Sequence, residues 1–110
     1  MDKLIIFRKT YELLIWLYPI VEKFPKSQRF VLAQQIFNTL LDFLKSLIEA
    51  NSVSRKREIL KTASLDLDKF RLLVRLAKDM KFMSIRKYQS TMEKTNEIGK
   101  MLGGMIKRFN

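Results

Sequence analysis

Apolar residues recur at alternating spacings of three and four between residues 51 and 80, the pattern of an amphipathic helix that buries one face. The predicted buried seam consists of Leu60, Ala63, Leu67, Phe70, Val74 and Ala77. A second set of positions, here called the cationic row, flanks this seam and consists of Arg57, Lys61, Ser64, Asp68, Arg71, Arg75 and Lys78. Five of these seven residues are cations and one is an acid, so the row predicts a surface that meets negative charge.

The same periodicity predicts four helices. The first spans about 3–24, with a seam at Leu4, Phe7, Tyr11, Leu14, Tyr18 and Val21. The second spans about 27–50 on Ala33, Ile36 or Phe37, Leu40, Phe43 or Leu44, and Leu47, with Asn51 and Ser52 as its stop. The third starts near Ser54, a candidate N-cap, and fades near Lys81. The fourth starts near Ser84, with a seam at Ile85, Tyr88, Met92, Thr95, Gly99, Leu102, Ile106 and Phe109.

Short connections between helices of similar length favour antiparallel neighbours. With only three glycines and two prolines, an architecture of many tight turns is disfavoured. The expected fold is therefore one all-α domain, residues 1–110, built as an up-down-up-down four-helix bundle. Leu14, Leu40, Leu44, Leu67, Phe70, Val74 and Leu102 are the expected core positions.

The first helix carries more apolar surface than one buried face requires. Between Leu4 and Phe24, 14 of 21 residues are apolar, whereas a bundle helix needs about three in seven. Either this helix lies at the centre, wrapped by the other three, or its surplus forms a subunit interface. The sequence leaves these two arrangements equally open.

Charge supports an anionic partner such as nucleic acid. The chain has 22 Lys and Arg against 11 Asp and Glu, a net charge of +11, and residues 51–110 hold 15 of those cations and 6 of the acids. Lys100 and Lys107, beside the seam of the fourth helix, could extend the cationic row if the last two helices are neighbours. The alternative is a solvated basic surface with no specific partner.

The residue types for most catalysis and metal binding are missing. There is no histidine and no cysteine, and the acids stand singly among cations, so we expect no enzyme activity, no cofactor and no metal site. The longest apolar run, from Leu13 to Val21, is too short to span a membrane, and no signal peptide is recognisable. A cytoplasmic protein that does not bind membranes is the expectation.

Most aromatic residues fall on seam positions, which favours a core role for Phe70, Tyr88 and Phe109. Trp16 and Phe82 are the candidates for exposed stacking on bases. Gly99 and Gly103 lie on one helix face and favour close packing; the alternative is that Gly103 and Gly104 fray the last turn.

Three segments together resemble the accessory variability determinant proteins of diversity-generating retroelements: 16–26 (WLYPIVEKFPK), 70–77 (FRLLVRLA) and 98–107 (IGKMLGGMIK). That family is related to four-helix-bundle proteins encoded in intervening sequences of ribosomal RNA genes. The resemblance covers nearly the whole chain.

The resemblance implies a pentameric, barrel-like assembly whose basic surface associates with the retroelement's reverse transcriptase and its RNA or DNA template. It implies support for mutagenic reverse transcription, with the polymerase chemistry in the partner. Arg57, Lys61, Arg71, Arg75, Lys78, Lys100 and Lys107 are the candidate contacts for nucleic acid and partner. The alternative is a structural or interaction protein of the ribosomal intervening-sequence type, which has no reverse-transcriptase partner.

Overall fold

Four long helices account for nearly all of the computed structural model, which describes residues 2–52 and 54–108. Helix α1 is Asp2–Glu22, α2 is Gln34–Ser52, α3 is Lys56–Asp79 and α4 is Ile85–Lys107. A short helical turn, Lys26–Gln28, and a π-helical segment, Arg29–Ala33, lead into α2. The side chains of Leu4 and Phe109, both predicted seam positions, lie outside the described residues.

The helices form an antiparallel bundle of about 42 × 23 × 20 Å in which each long helix packs against two others. Consecutive helices are neighbours, and α1 closes the arrangement by packing against α4. The predicted all-α four-helix bundle is confirmed. Because α1 has only two neighbours, like every other helix, it is not the wrapped central helix that one interpretation of its composition required.

The seam of α3 is confirmed at all six predicted positions, each of which is at most 1% exposed. Elsewhere in the predicted core, Leu14, Leu40 and Leu102 are buried, whereas Leu44 is only half-buried. Phe70 is fully buried at the middle of this seam. Because burial of this seam fixes the rotation of α3 about its axis, it also fixes which residues of α3 face outward.

The predicted seam of α1 is confirmed at Leu14 and Val21 and wrong at Tyr11 and Tyr18. The described side chains that α1 turns fully inward are Ile6, Thr10, Leu13, Leu14, Leu17 and Val21. Tyr11 and Tyr18, which were predicted to be buried, are 60% and 52% exposed. Thr10 is accommodated because its hydroxyl donates to the Ile6 carbonyl oxygen at 2.8 Å.

An exposed apolar surface therefore remains along one side of α1. Its residues are here called the α1 face: Tyr11, Ile15 and Tyr18 of α1, with Phe30 and Ile48. The Tyr18 ring packs edge-on against Phe37 of α2, with the ring centroids 5.7 Å apart. Ile48 lies three helical turns after Phe37 on α2, which extends the apolar surface along the groove between α1 and α2.

The second helix departs from the prediction only near its beginning. A continuous helix from about residue 27 was expected, but a π-helical turn occupies Arg29–Ala33. This turn leaves Phe30 84% exposed while Leu32 and Ala33 are buried. From Ile36 onward the predicted seam holds.

The buried seam of α4 is shifted from the predicted one. Thr91, Thr95, Ile98, Leu102 and Met105 are buried, whereas Ile85 is 65% exposed. The two threonine hydroxyls donate to carbonyl oxygens one turn earlier, at 2.7 Å each, which allows polar side chains in the core. The helix continues through Gly103 and Gly104 to Lys107, so the alternative of a frayed last turn is wrong.

The structure confirms the predicted start of α4 but not the predicted N-cap of α3. α4 begins after Ser84 as predicted, and Ser84 caps it, since its Oγ accepts a hydrogen bond from the Lys87 N–H at 3.1 Å. The predicted Ser54 cap of α3 is wrong, because the N-cap is Arg55 and no side chain caps that end.

A Schellman motif ends α3. The Lys81 N–H donates to the Lys78 carbonyl at 3.0 Å and the Phe82 N–H to the Ala77 carbonyl at 2.9 Å. Lys81 has φ 66°, the left-handed conformation that glycine adopts without steric cost. The motif turns the chain so that the Phe82 ring packs against Phe24, with centroids 5.9 Å apart.

Replacing Lys81 by glycine should stabilise the protein. Glycine removes the Cβ strain of a left-handed residue, a gain on the order of 1 kcal/mol that exceeds its extra unfolded-state entropy. Chemical denaturation of Lys81→Gly, with Lys81→Ala as the control that keeps the Cβ, measures the effect. An unchanged or lower free energy of unfolding in Lys81→Gly would contradict the strain at this position.

Candidate nucleic-acid interface

The cationic row lies along the side of α3 that borders α4. The Arg71 Nε donates to the Asn96 Oδ1 of α4 at 3.2 Å, and the Lys78 ammonium lies 4.9 Å from the centre of the Tyr88 ring of α4. From Arg57 to Lys78 the row covers 21 helical steps, or about 30 Å. Its members do not share one environment.

The first part of the row is open to solvent. Arg57 and Lys61 are exposed and, together with Arg55 and Lys56, line a shallow cleft of about 390 Å³ at the start of α3. Arg55 pairs with Glu58 at 3.6 Å. Among the residues described, neither Arg57 nor Lys61 makes an ion pair. Glu58 also lines this cleft, but the four cations outnumber it, so this end of α3 carries a net positive charge.

Sequence reasoning missed two contributors to this cluster, Arg55 and Lys56. The signal was present as the uninterrupted run Arg55-Lys56-Arg57. One helical row does not include consecutive residues, but a loop and the first turn of a helix can present several consecutive side chains to one cleft.

Arg71, at the middle of the row, is held by groups on two helices. Its Nη1 donates to the Asp68 carboxylate at 2.9 Å, and its Nε donates to Asn96. A Cβ at Gly99 would clash with the Arg71 guanidinium, so the glycine leaves the space that this side chain occupies. The close packing predicted at Gly99 is thus against a side chain, while a Cβ at Gly103 would meet nothing within 4 Å.

The last two cations of the row, Arg75 and Lys78, both pair with Asp79, which is not part of the row. Lys78 Nζ lies 2.9 Å from the Asp79 carboxylate, and Arg75 Nε lies 3.8 Å from it. The hydrogen bond from Lys78, aided by the charges of Lys78 and Arg75, lowers the pKa of Asp79. Asp79 is therefore ionised at neutral pH and offsets part of the positive charge here.

Lys100 and Lys107 are exposed two turns apart on α4. Lys100 borders a cleft with Ile5 of α1. Gly99 faces Arg71 of α3, so the next residue, Lys100, stands on a different side of α4. These two lysines form a separate basic area on α4, although α3 and α4 are neighbours as expected.

An apolar stripe runs beside the row on the outer side of α3. Its residues, here called the α3 stripe, are exposed large side chains at helical spacing: Leu65, Leu72, Leu76 and Met80. Leu72 is the most exposed of them at 68%. α3 thus presents cations and apolar side chains on adjoining surfaces.

The described part of the chain offers no group of three acids placed together as metal ligands. None of its helices is long and apolar enough to cross a membrane. Partial burial, with a smaller contribution from Asp42, raises the pKa of Asp66 against the opposing effect of Lys69.

Two of three comparisons with known proteins found a similarity. A family model described as bAvd-like matches residues 4–109, which confirms the resemblance drawn from the sequence. A solved structure of a protein with unknown function, from the S23 ribosomal protein family of Bacteroides thetaiotaomicron, superposes with a TM-score of 0.88. The two chains are 21% identical over 97% of this chain and 99% of that one, so the similarity shows a shared fold. A comparison with curated proteins gave no match.

Removing the Asp79 charge should strengthen binding of polyanions to the row. In Asp79→Asn, Arg75 and Lys78 lose their shared acid, so we expect tighter binding of an oligothymidylate and a steeper salt dependence, by about 0.7 per added phosphate contact. Glu22→Gln, which likewise removes one negative charge from an exposed residue, here at the end of α1, is the matched control. Fluorescence anisotropy at several salt concentrations measures both quantities.

The Asp79 effect also has a defined pH dependence. Because the folded-state pKa of Asp79 is lowered, its ion pairs persist at neutral pH and are lost as the pH falls through that pKa. The affinity difference between wild type and Asp79→Asn should shrink over the same range. Equal affinities of wild type and Asp79→Asn at pH 7 would show that Asp79 does not weaken the binding of anions by Arg75 and Lys78.

Proposed function

The chain belongs to the bAvd-like family, and we propose that it is a non-catalytic accessory protein that binds nucleic acid and a reverse transcriptase through the cationic row. In this proposal the protein supports mutagenic reverse transcription in a diversity-generating retroelement, and the partner carries out the polymerase chemistry. Family membership over residues 4–109 supports the biological setting.

The observation that carries the proposal is the net positive cluster around Arg57 and Lys61 at one end of a basic row about 30 Å long. Phosphates in one nucleic-acid strand follow each other at about 3.4 Å, so a strand laid along the row passes several cations. Contacts of this type fix position without reading base edges. Binding should therefore show little sequence preference.

We further propose that the protein forms a cyclic homo-oligomer. The α1 face and the α3 stripe are two different apolar surfaces, and the helices that carry most of their residues, α1 and α3, are not neighbours in the bundle. Two dissimilar surfaces on separate sides suit a head-to-tail contact, which closes into a ring when the rotation allows. The number five comes from the family resemblance alone.

In such a ring the cationic row would be repeated beside every subunit contact. Several rows could then engage one strand, and the combined affinity would exceed that of a single subunit. The same repetition would offer a reverse transcriptase an extended basic surface. An assembly of this kind explains why apolar and cationic surfaces adjoin on α3.

Neutralising the open cations should weaken nucleic-acid binding and reduce its salt dependence. Arg57→Gln, Lys61→Gln and Arg75→Gln together remove up to three phosphate contacts, so the salt slope should fall by about 2 for single strands. These three side chains are exposed, and the fold should be unaffected. Arg71 and Lys78 are only 29% and 27% exposed and contact α4, so this variant leaves them unchanged.

Lys26→Gln, Lys45→Gln and Lys69→Gln form the matched control for this triple variant, because all three are exposed lysines outside the row. Binding of single-stranded RNA and co-purification with a reverse transcriptase are the two readouts. Unchanged binding in the row variant would refute the row as the interface. RNA binding without capture of any reverse transcriptase would favour the ribosomal intervening-sequence alternative.

The oligomer should depend on the α1 face. Ile15→Glu places a charge among Tyr11 and Tyr18, and it should convert the oligomer to monomers because the 61% exposed Ile15 lies away from the bundle core. Light scattering measures the mass, and Glu12→Gln on the same helix is the control. A 13.1 kDa wild-type species at micromolar concentration would refute the oligomer.

A further inference from the structure

A cleft of about 310 Å³ opens between α1 and the start of α4. Trp16 and Ile20 of α1, with Lys23 just after the end of α1, form one wall, and Phe82 and Lys87 form the other. Its volume lies near the lower end of the ~300–1,000 Å³ range of small-molecule sites. No acidic residue lines it.

The Trp16 ring in this cleft is held in a fixed orientation. Its Nε1 donates to Thr91 Oγ1 at 3.2 Å, and the Thr91 hydroxyl donates in turn to the Lys87 carbonyl oxygen at 2.7 Å. Thr91 is fully buried, so the anchor of the indole belongs to the bundle core. The aromatic surface is therefore in place before any ligand arrives.

Cations gather around the same ring. The Lys94 and Lys87 ammonium groups lie 4.3 Å and 5.0 Å from the Trp16 ring centre, within cation–π range. Lys87 also lines the cleft, and the exposed Lys23 stands on the opposite wall. An anion inside the cleft would lie between two ammonium groups next to an aromatic surface.

Phe82 supplies the second aromatic ring, and the backbone sets its position. The Schellman motif at the end of α3 directs the chain back toward α1, and packing against Phe24 holds the Phe82 ring at the cleft wall. Trp16 and Phe82 are the two aromatics that the sequence marked as candidates for base stacking, and the fold brings both to one site.

We propose that this cleft binds one nucleotide of a single-stranded nucleic acid, with the base against Trp16 and Phe82 and its phosphate between Lys23 and Lys87. Aromatic rings beside cations are the combination that holds single strands without reading sequence. None of the residues that line the cleft belongs to the cationic row, so the site goes beyond the function proposed above.

Trp16 is the only tryptophan, so its fluorescence reports on this cleft alone. Trithymidylate is the probe, because its length of about 10 Å covers the cleft but only a small part of the row, which is about 30 Å long. We expect it to quench Trp16 emission with saturable binding. An abasic trinucleotide with the same phosphates should bind at least about fivefold more weakly, because stacking is lost.

Variants separate this site from the row. Lys23→Gln with Lys87→Gln should weaken trithymidylate binding at least about fivefold, whereas Lys26→Gln with Lys45→Gln should leave it unchanged. Phe82→Leu, which keeps an apolar side chain without the ring, should weaken binding of trithymidylate but not of the abasic probe. The row variant Arg57→Gln/Lys61→Gln/Arg75→Gln should bind trithymidylate as wild type does, even if the row has no role in function.

Three results would overturn the proposal. The first is no change in Trp16 emission at any trithymidylate concentration. The second is equal binding of the abasic and thymidine probes, which would reveal a site for phosphate alone. The third is unchanged binding in a folded Lys23→Gln/Lys87→Gln variant, with folding checked by circular dichroism.

Discussion

Burial of the α3 seam is the constraint on which the rest of the molecule depends. Each helix of the bundle has two neighbours and can bury one side only, so the six seam residues of α3 determine which side chains face outward. The cationic row and the α3 stripe are consequences of that phase. A surface placed by the core is rigid, and its cations keep a fixed spacing of helical turns along about 30 Å.

The ion pairs along the row oppose anion binding only weakly. Exposed pairs contribute about 0–1 kcal/mol, because water and salt screen them, and a phosphate can replace a carboxylate at little cost. Asp68 and Asp79 therefore position Arg71, Arg75 and Lys78 more than they neutralise them. The start of α3 differs, since Arg57 and Lys61 have no such acid among the described residues, and it should engage anions first.

How far sequence predicted the structure depended on the contrast between the faces of each helix. In α3, apolar and charged residues alternate sharply, and all six seam positions were correct. In α1, 14 of 21 residues between Leu4 and Phe24 are apolar, so several phases fit equally and Tyr11 and Tyr18 were misplaced. In α4, buried Thr91 escaped detection because its polarity is satisfied by the helix itself.

The candidate site was predictable in outline but not in its contacts. The row could be read from spacing, yet the pairing of Asp79 with two cations depends on rotamers and on the end of α3. Likewise, sequence singled out Trp16 and Phe82, but they are 66 positions apart in the chain and only the packing of α1 on α4 places them in one cleft. The left-handed conformation of Lys81 could not be predicted from the sequence, because the position is not occupied by glycine.

The central claim is that nucleic acid lies along the cationic row, and lysine footprinting tests it most directly. The reactivity of each lysine toward an acylating reagent is measured by mass spectrometry, with and without saturating single-stranded RNA. The account predicts that Lys61 and Lys56 at the start of α3 become protected, while exposed Lys26 and Lys45 react as before. Full reactivity of Lys61 in the RNA-bound protein would contradict it.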